Sequence, residues 1–384
     1  MNEHKVLLLA MKSWGEMGNF NSAHKLARLI EQVGWDVDVV AFDELLPEFA
    51  HFGIKLGNLR DQDISEREVE KVYADVMDEC GVCVRQMLSE PASSLQKLIK
   101  LISERNYRFV IGAKGVISRI VSELQGRSLI SVTAANYLTN HGLLDIDIHR
   151  PVVGMPQICV TVDAVEHLMH LGVAEKDIFN IRYPGGHGDF SINHQAADGS
   201  INVVVFDNHG GAVFSRLVRS LLGFDPKIHL HVIALSPEKY SQLLDGKSST
   251  LVGKMSFADY QQFLADRQHE RRTVLVTKAG PNTVFEAIRH ELPVIVVPSG
   301  LPPEKWVARF VVEREIGRVC NSHQQVKSVL DGYLMNTIEF DQVVERMRAM
   351  KNVHFSPPTV IENLVDFLAQ KEACMYDETS NLCI

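Results

Sequence analysis

The segment from Thr277 to Ala287 combines residue types that favour phosphate binding. It begins at the carboxyl end of a predicted strand, turns at Gly280-Pro281 and enters a predicted helix. The unpaired N–H groups and the dipole of such a helix start attract a phosphate group. Glu286, one turn into the helix, would reach a ribose or sugar hydroxyl beside that phosphate. A capping box with Glu286 as the third helical residue explains the same pattern without a ligand, and both interpretations stay open.

The elements that position this segment follow from hydrophobic periodicity. Short apolar runs indicate buried parallel strands, and a 3.6-residue period indicates the helices between them, such as a helix from Ser22 after a loop up to Asn21. The predicted strands are Val6–Ala10, Trp35–Phe42, Phe109–Gly112, Ser128–Val132, Gln157–Thr161, Ile201–Phe206, His229–Leu235, Thr273–Val276 and Pro293–Val297. This alternation predicts an α/β protein with two Rossmann-like domains facing a central cleft, where ligands bind.

A break in the periodicity sets the domain boundaries. Residues 184–188 and 196–200 are rich in turn formers, so we predict a first domain over 1–185, a linker over 186–200 and a second domain over 201–356. A further helix is expected over 357–370. Residues 371–384 lack periodicity and are predicted to be a frayed tail.

Composition excludes several classes of function. The 384 residues are 46% hydrophobic and 23% charged, which is enough for two independent cores. With 39 basic and 48 acidic residues the net charge is −9, which argues against a nucleic-acid partner. The sequence has no apolar run long enough to cross a bilayer and no signal-peptide pattern, so we expect a cytoplasmic protein.

The segment from Lys278 to Ala287, followed by Leu292-Pro293, resembles the donor-site signature of two-domain GT-B glycosyltransferases. The similar group contains monogalactosyldiacylglycerol synthases, processive diacylglycerol glucosyltransferases and the peptidoglycan lipid-intermediate N-acetylglucosaminyltransferase. Their Gly-Leu-Pro triplet differs here only in Glu291. The resemblance extends over about residues 5 to 370. It implies an acceptor-binding first domain, a nucleotide-sugar-binding second domain and a closing helix over 357–370 that crosses back to the first domain.

This resemblance implies which residues bind a UDP-sugar donor. They are Gly210, Gly211, Lys278, Gly280, Pro281, Asn282, Thr283, Glu286 and Glu304. The family's glycine run after the first strand of this domain is reduced here to Gly210 and Gly211, and Asp207 adds a negative charge near the expected diphosphate. The resemblance implies no metal and no cofactor besides the UDP-sugar co-substrate, because a helix start can neutralise the leaving diphosphate.

The catalytic base is where the chain departs most from the family. The family places a His after Gly18 to deprotonate the acceptor, whereas this chain has Asn19. A carboxamide can orient an acceptor but cannot serve as a general base at neutral pH. His24 in the first helix and His141 after a predicted strand are candidate replacements. We therefore take Asn19, His24 and His141 as the candidate catalytic residues.

Together these features predict an inverting, metal-independent glycosyltransferase that moves a hexose from a UDP-sugar to a hydroxyl or amine. A UDP-sugar hydrolase or epimerase on the same scaffold, and a degenerate protein that binds nucleotide-sugars without turnover, stay open. We expect a soluble small-molecule acceptor, since residues 60–71 lean acidic and would be repelled by anionic lipid. The basic and apolar stretch from Lys97 to Arg108 leaves a lipid acceptor and peripheral membrane attachment open. The sugar and the oligomeric state do not follow from the sequence.

Overall fold

The chain divides into two compact units. A computed structural model describes residues 5–13, 18–59, 65–183, 199–207, 212–234, 236–244, 249–253, 255–298, 300–355 and 360–381. One unit comprises Met1–Gly57, Lys71–His187 and His354–Ile384, and the other comprises Asn58–Glu70 and Gly188–Val353. Among the described residues, every helix is too short or too polar to cross a membrane.

The first unit is built on a parallel sheet of six strands in the order β2-β1-β3-β4-β5-β6. The strands are β1 (Lys5–Ala10), β2 (Asp36–Ala41), β3 (Phe109–Gly112), β4 (Thr133–Leu138), β5 (Gln157–Cys159) and β6 (Ile178–Asn180). The helices between them are α1 (Gly18–Gln32), α2 (Phe42–Leu45), α3 (Glu48–Leu59), α4 (Glu66–Ser89), α5 (Pro91–Ser94), α6 (Gln96–Glu104), α7 (Gly115–Gly126) and α8 (Val162–His170). The strand order reverses between β1 and β3, and ligands of open α/β sheets bind at the carboxyl end of such a switch point.

The second unit repeats this plan with the strand order β12-β11-β10-β7-β8-β9, again all parallel. Its strands are β7 (Ile201–Asp207), β8 (Ile228–Ala234), β9 (Ser249–Val252), β10 (Arg272–Thr277), β11 (Val294–Val296) and β12 (Gly317–Val319). The helices are α9 (Ala212–Leu221), α10 (Glu238–Leu244), α11 (Phe257–Glu270), α12 (Pro281–Arg289), α13 (Lys305–Glu313), α14 (His323–Met335) and α15 (Thr337–His354). Here the switch point lies between β7 and β10.

The strand predicted over Ser128–Val132 is wrong, because β4 lies at Thr133–Leu138. The N–H of Leu129 still donates to the carbonyl of Leu124, and Ser128 has a φ of 56°, so this stretch closes helix α7. The actual strand contains Thr, Ala and Asn, and its polar residues conceal it from a hydropathy pattern. The first helix also begins earlier than predicted, at Gly18, which places Asn19 in its first turn.

The tail predicted from residue 371 is also wrong. Helix α16 runs from Val360 to Asn381 and packs on the core of the first unit. The carboxylate of Glu372, 8% exposed, accepts two hydrogen bonds of 2.5 Å from Nε of Arg108 at the start of β3. Ion pairs of this kind fix the helix beyond residue 370, where the sequence lacks apolar periodicity.

The second unit buries two neutral histidines. Nε2 of His231 lies 3.2 Å from Oδ1 of Asn202, and Nε2 of His290 lies 2.6 Å from Oε1 of Gln261. Burial is the main cause that lowers the pKa of each imidazole to about 4, with nearby arginines acting in the same direction. Glu286 acts in the opposite direction on His290.

Acidification should therefore destabilise this unit. A histidine whose pKa is lower in the folded state binds its proton more readily when unfolded, so stability is lost as the pH falls from about 6.5 towards 4. The loss is on the order of 3 kcal/mol for each histidine at the acid end. Melting temperature measured from pH 7 to 4.5 should fall less steeply for His231→Gln than for the parent. The exposed control His269→Gln should keep the parental slope of melting temperature against pH. A parental slope in His231→Gln as well would contradict this assignment.

Candidate functional site

The segment from Thr277 to Ala287, predicted to bind phosphate, lies at the carboxyl edge of the second sheet. Strand β10 ends at Thr277, and α12 begins with Pro281 after Gly280 as the N-cap. Because Gly280 has no side chain, this position supplies no oxygen to cap the first-turn N–H groups of the helix. The helix start lies beside the switch point between β7 and β10, where ligands of such sheets bind.

The capping-box explanation of this segment is wrong. The third helical residue is Thr283, and Glu286 lies one turn further on, where it cannot reach back to the N-cap. Glu286 is 2% exposed, and its Oε2 lies 3.8 Å from a guanidinium nitrogen of Arg289. The carboxylate is thus held at one place by a cation on its own helix.

Gly280 leaves room for a Cβ beside the helix start. Its φ of −87° is available to any residue. A Cβ built on Gly280 would meet nothing closer than 3.8 Å, where Cε of Lys278 and Oγ1 of Thr283 lie. A Cβ on Gly115 at the start of α7, by contrast, would lie 2.4 Å from the carbonyl oxygen of His149. Packing therefore requires glycine at 115 but not at 280.

A buried ion pair lies next to Gly280. Nζ of Lys278 is 3.8 Å from Oε1 of Glu304, and the two side chains are 10% and 8% exposed. Glu304 comes from the turn after β11, so the pair connects the carboxyl ends of two adjacent strands. Glu304 also lines a pocket of about 150 Å³ together with Pro298, Gly300, Leu301, Lys305, Ala308 and Asn321. Among the described residues, no three His, Cys, Asp or Glu side chains are grouped to hold a metal ion.

The predicted glycine turn follows β7. Residues 208–211, which include Gly210 and Gly211, lie outside the described part of the chain. Asp207 is 2% exposed and accepts a 2.5 Å hydrogen bond from the hydroxyl of Tyr240. Burial, and then this hydrogen bond, raise the pKa of Tyr240 well above its usual value. The charge of Asp207 is therefore stabilised inside the unit, and this geometry gives no support to a role in opposing a diphosphate.

Glu291 occupies the position where the resembling family has glycine. Its φ of 54° lies in the left-handed region that glycine favours. Its buried carboxylate lies 3.0 Å from Nη2 of Arg348 and 3.6 Å from Nζ of Lys351, both on α15. These ion pairs offset the strain of the backbone and fix the end of α12 opposite the candidate site.

In the first unit, Asn19 connects two strand ends. Its Oδ1 accepts a 3.0 Å hydrogen bond from the N–H of Met11, which follows β1. Its Nδ2 donates at 2.5 Å to the carbonyl oxygen of Ala113, which follows β3. The side chain is 9% exposed and spans the switch point of this sheet. Its hydrogen bonds support a structural role, and its predicted contact with an acceptor stays a prediction.

Asn19→Ala should destabilise the protein by about 1–3 kcal/mol, because it leaves a buried N–H and a buried carbonyl without their partner. Chemical denaturation followed by circular dichroism measures this loss. Asn21→Ala, two residues along the same helix and exposed, is the control and should lie within about 0.5 kcal/mol of the parent. Equal stability of the two variants would contradict the bridging role.

The two candidate histidines lie on different elements of the first unit. The imidazole of His24 is exposed on α1 and packs edge-on against Phe20 at 4.7 Å. Partial burial, and then the charges of Arg28 and Lys12, lower its pKa, which favours the neutral form that a base needs. His141 begins a short 3₁₀ turn, and its side chain lies outside the described part of the structure.

Asp43, which follows β2 and is 4% exposed, is a candidate that no sequence motif indicates. Its carboxylate accepts hydrogen bonds from the backbone of Lys12 and Ser13 after β1. The signal that could have found it is its place at the end of a strand predicted to pair with β1, since carboxyl ends of parallel strands lie together.

Several solved structures are similar to this chain, whereas neither a family model nor a curated protein matches its sequence. O. sativa Os79 in complex with UDP is 12% identical, with a TM-score of 0.61 over 95% of this chain and 100% of that one. Acinetobacter baumannii MurG is 14% identical, with a TM-score of 0.52 over 96% and 99%. A putative UDP-N-acetylglucosamine 2-epimerase from Listeria monocytogenes is 13% identical, with a TM-score of 0.52 over 90% and 91%. At these identities the likeness establishes the fold, which is of the GT-B type, as predicted.

Proposed function

We propose that this protein is a glycosyltransferase that moves a hexose from a UDP-sugar to a hydroxyl or amine of an acceptor. The observation that carries the proposal is the accessible helix start at Gly280 beside the buried pair of Lys278 and Glu304. It provides N–H donors, a helix dipole and a cation at one place, which is what a diphosphate requires. The similar fold of Os79, solved with UDP, agrees with this assignment.

Each donor-site residue has a role in this proposal. The start of α12, with Gly280, Pro281, Asn282 and Thr283, surrounds the diphosphate, and Glu286 accepts hydrogen bonds from the ribose. Lys278 and the helix dipole stabilise the negative charge that develops on the leaving UDP, so the transfer proceeds without a metal. Glu304 accepts a hydrogen bond from a hydroxyl of the sugar, which lies in the adjacent pocket. Attack from the opposite face of the sugar inverts its anomeric centre.

The acceptor is a soluble small molecule in this proposal. Much of the basic and apolar stretch from Lys97 to Arg108, which suggested a lipid acceptor, is buried or ion-paired within the first unit. Leu98 and Ile102 are buried, so the apolar face of α6 packs inward. Arg105 and Arg108 pair with Asp38 and Glu372. A surface with few unpaired cations and no exposed apolar face has little affinity for anionic lipid.

The experiment that tests the function measures UDP release. The protein is incubated with radiolabelled UDP-glucose and, separately, UDP-N-acetylglucosamine, each with and without a small-molecule extract of cells. Release of UDP that requires the extract, with label appearing in a new product, supports transfer. Vesicles of anionic phospholipid replace the extract in a parallel arm, and transfer only in that arm would contradict the soluble acceptor.

A second candidate function is a UDP-sugar hydrolase or epimerase. The likeness to the 2-epimerase fold, and the absence of a family-type histidine at Asn19, favour it. The same incubation distinguishes it, because such an enzyme converts the UDP-sugar without any extract. Binding of UDP without turnover in every arm would instead indicate a nucleotide-sugar-binding protein.

A further inference from the structure

The loop that follows β1 in the first unit is held by side-chain oxygens at three successive backbone N–H groups. That of Met11 donates to Asn19, and those of Lys12 and Ser13 donate to Oδ1 and Oδ2 of Asp43 at 2.9 and 2.6 Å. The hydroxyl of Ser13 makes a further short hydrogen bond to Oδ2 of Asp43. The loop therefore presents a half-buried hydroxyl whose proton already points at a buried carboxylate.

The position of this pair matters for the chemistry. It joins the carboxyl ends of β1 and β2, and β1 also borders the switch point with β3, in the unit that resembles an acceptor domain. Ser13 uses its O–H on Asp43 and keeps two oxygen lone pairs for an outside donor. Asp43 is 4% exposed, whereas Ser13, which is hydrogen-bonded to it, is half-buried. The two backbone bonds keep the carboxylate in place whether or not the hydroxyl is present.

We propose that Ser13 and Asp43 form a proton relay that replaces the missing histidine base in the glycosyl transfer. This inference rests on the proposed function. Asn19 cannot accept the proton, because an amide is not a base and its oxygen is already bonded to Met11. Ser13 is the catalytic residue, since it touches the acceptor, and Asp43 is a positioning residue that receives the proton through it.

The step balances in atoms and electrons. A lone pair of the acceptor oxygen forms the bond to the anomeric carbon, and the bond from that carbon to the β-phosphate oxygen breaks, with its electron pair leaving on UDP. The acceptor O–H gives its proton to Oγ of Ser13. The hydroxyl proton of Ser13 passes at the same time to Oδ2 of Asp43. The proton then returns from Asp43 to Oγ of Ser13 while the hydroxyl proton of Ser13 passes to water, which restores the starting state.

The test uses Ser13→Ala, which removes the hydroxyl and keeps both backbone hydrogen bonds to Asp43. Extract-dependent release of UDP from the labelled UDP-sugar should fall about 100-fold or more, the contribution expected of general base catalysis. The calorimetric affinity for UDP should match that of the parent, and the melting temperature should fall only slightly, because Asp43 keeps its two backbone hydrogen bonds. Ser13→Thr, which keeps a hydroxyl, should restore most of the rate.

Ser65→Ala is the matched control. Ser65 likewise donates its N–H and its hydroxyl to one oxygen of Glu68, but this pair is exposed at the start of α4. Its variant should transfer at the parental rate. The relay is overturned if Ser13→Ala transfers at the parental rate. It is also overturned if the variant loses enough UDP affinity or stability to account for its lower rate. A parent that binds UDP but shows no extract-dependent release overturns the proposed function itself, and the relay with it, before any variant is made.

Discussion

Replacing Gly280 with valine should weaken UDP binding by at least about 30-fold, or about 2 kcal/mol, without unfolding the protein. The valine side chain would project beside the helix start and keep a diphosphate from the backbone N–H groups. The φ of −87° suits valine, and its Cβ would make ordinary van der Waals contacts at 3.8 Å with Lys278 and Thr283. A β-branched residue at an N-cap costs about 1 kcal/mol at most. Isothermal titration calorimetry with UDP, together with thermal melting, measures both quantities.

Gly115→Ala, at the start of helix α7, should lower stability without changing UDP affinity. Its Cβ would lie 2.4 Å from the carbonyl oxygen of His149, so the start of α7 must shift and the melting temperature should fall. The affinity of the folded protein for UDP should be unchanged, because Gly115 belongs to the first unit. Parental UDP affinity in a stable Gly280→Val protein would place the diphosphate at another site.

The sequence predicts four of the six strands in each sheet, misplaces β4 and does not indicate β6, β9 or β12. Strands such as β7 and β10 are buried on both faces, so they appear as continuous apolar runs and were placed within one or two residues. Strand β4 contains Asn136, which donates to Gln157 and accepts from Ser118. These partners lie far away in the sequence, and a local pattern cannot show that they satisfy a buried amide.

The candidate site likewise has features that are local in the sequence and features that depend on which strands are neighbours. The helix start at Gly280 could be predicted, because strand, turn and helix follow one another along the chain. The pairing of Lys278 with Glu304 depends on β10 and β11 being neighbours, and the bridge made by Asn19 depends on β1 and β3 being neighbours. Asn19 was interpreted as an acceptor ligand from its position in a family motif, whereas its hydrogen bonds follow only from the folded arrangement.

Lys278→Met should lower both stability and UDP affinity, and a second substitution should separate the two effects. Without the lysine, the carboxylate of Glu304 stays at 8% exposure without the cation beside it, which should destabilise the protein by about 3 kcal/mol. UDP affinity should fall at least about 10-fold, or about 1.4 kcal/mol, because the diphosphate loses a charge partner. Lys351→Met is the matched control, since Nζ of Lys351 lies 3.6 Å from the buried carboxylate of Glu291. It should cost less stability, because Glu291 keeps Arg348 at 3.0 Å, and it should leave UDP affinity unchanged.

The double variant Lys278→Met with Glu304→Gln decides between a structural and a binding role. Glutamine removes the buried charge, so the free energy of unfolding should return to within about 1 kcal/mol of the parent. UDP affinity should remain low, because neutralising Glu304 does not replace the cation that faces the diphosphate. Glu304→Gln alone should bind UDP as tightly as the parent or tighter, because no carboxylate then competes with the phosphates for Lys278. A UDP-sugar should no longer bind more tightly than UDP, because Glu304 is no longer there to accept a hydrogen bond from the sugar. Recovery of both stability and UDP affinity in the double variant would mean that Lys278 serves only to neutralise Glu304.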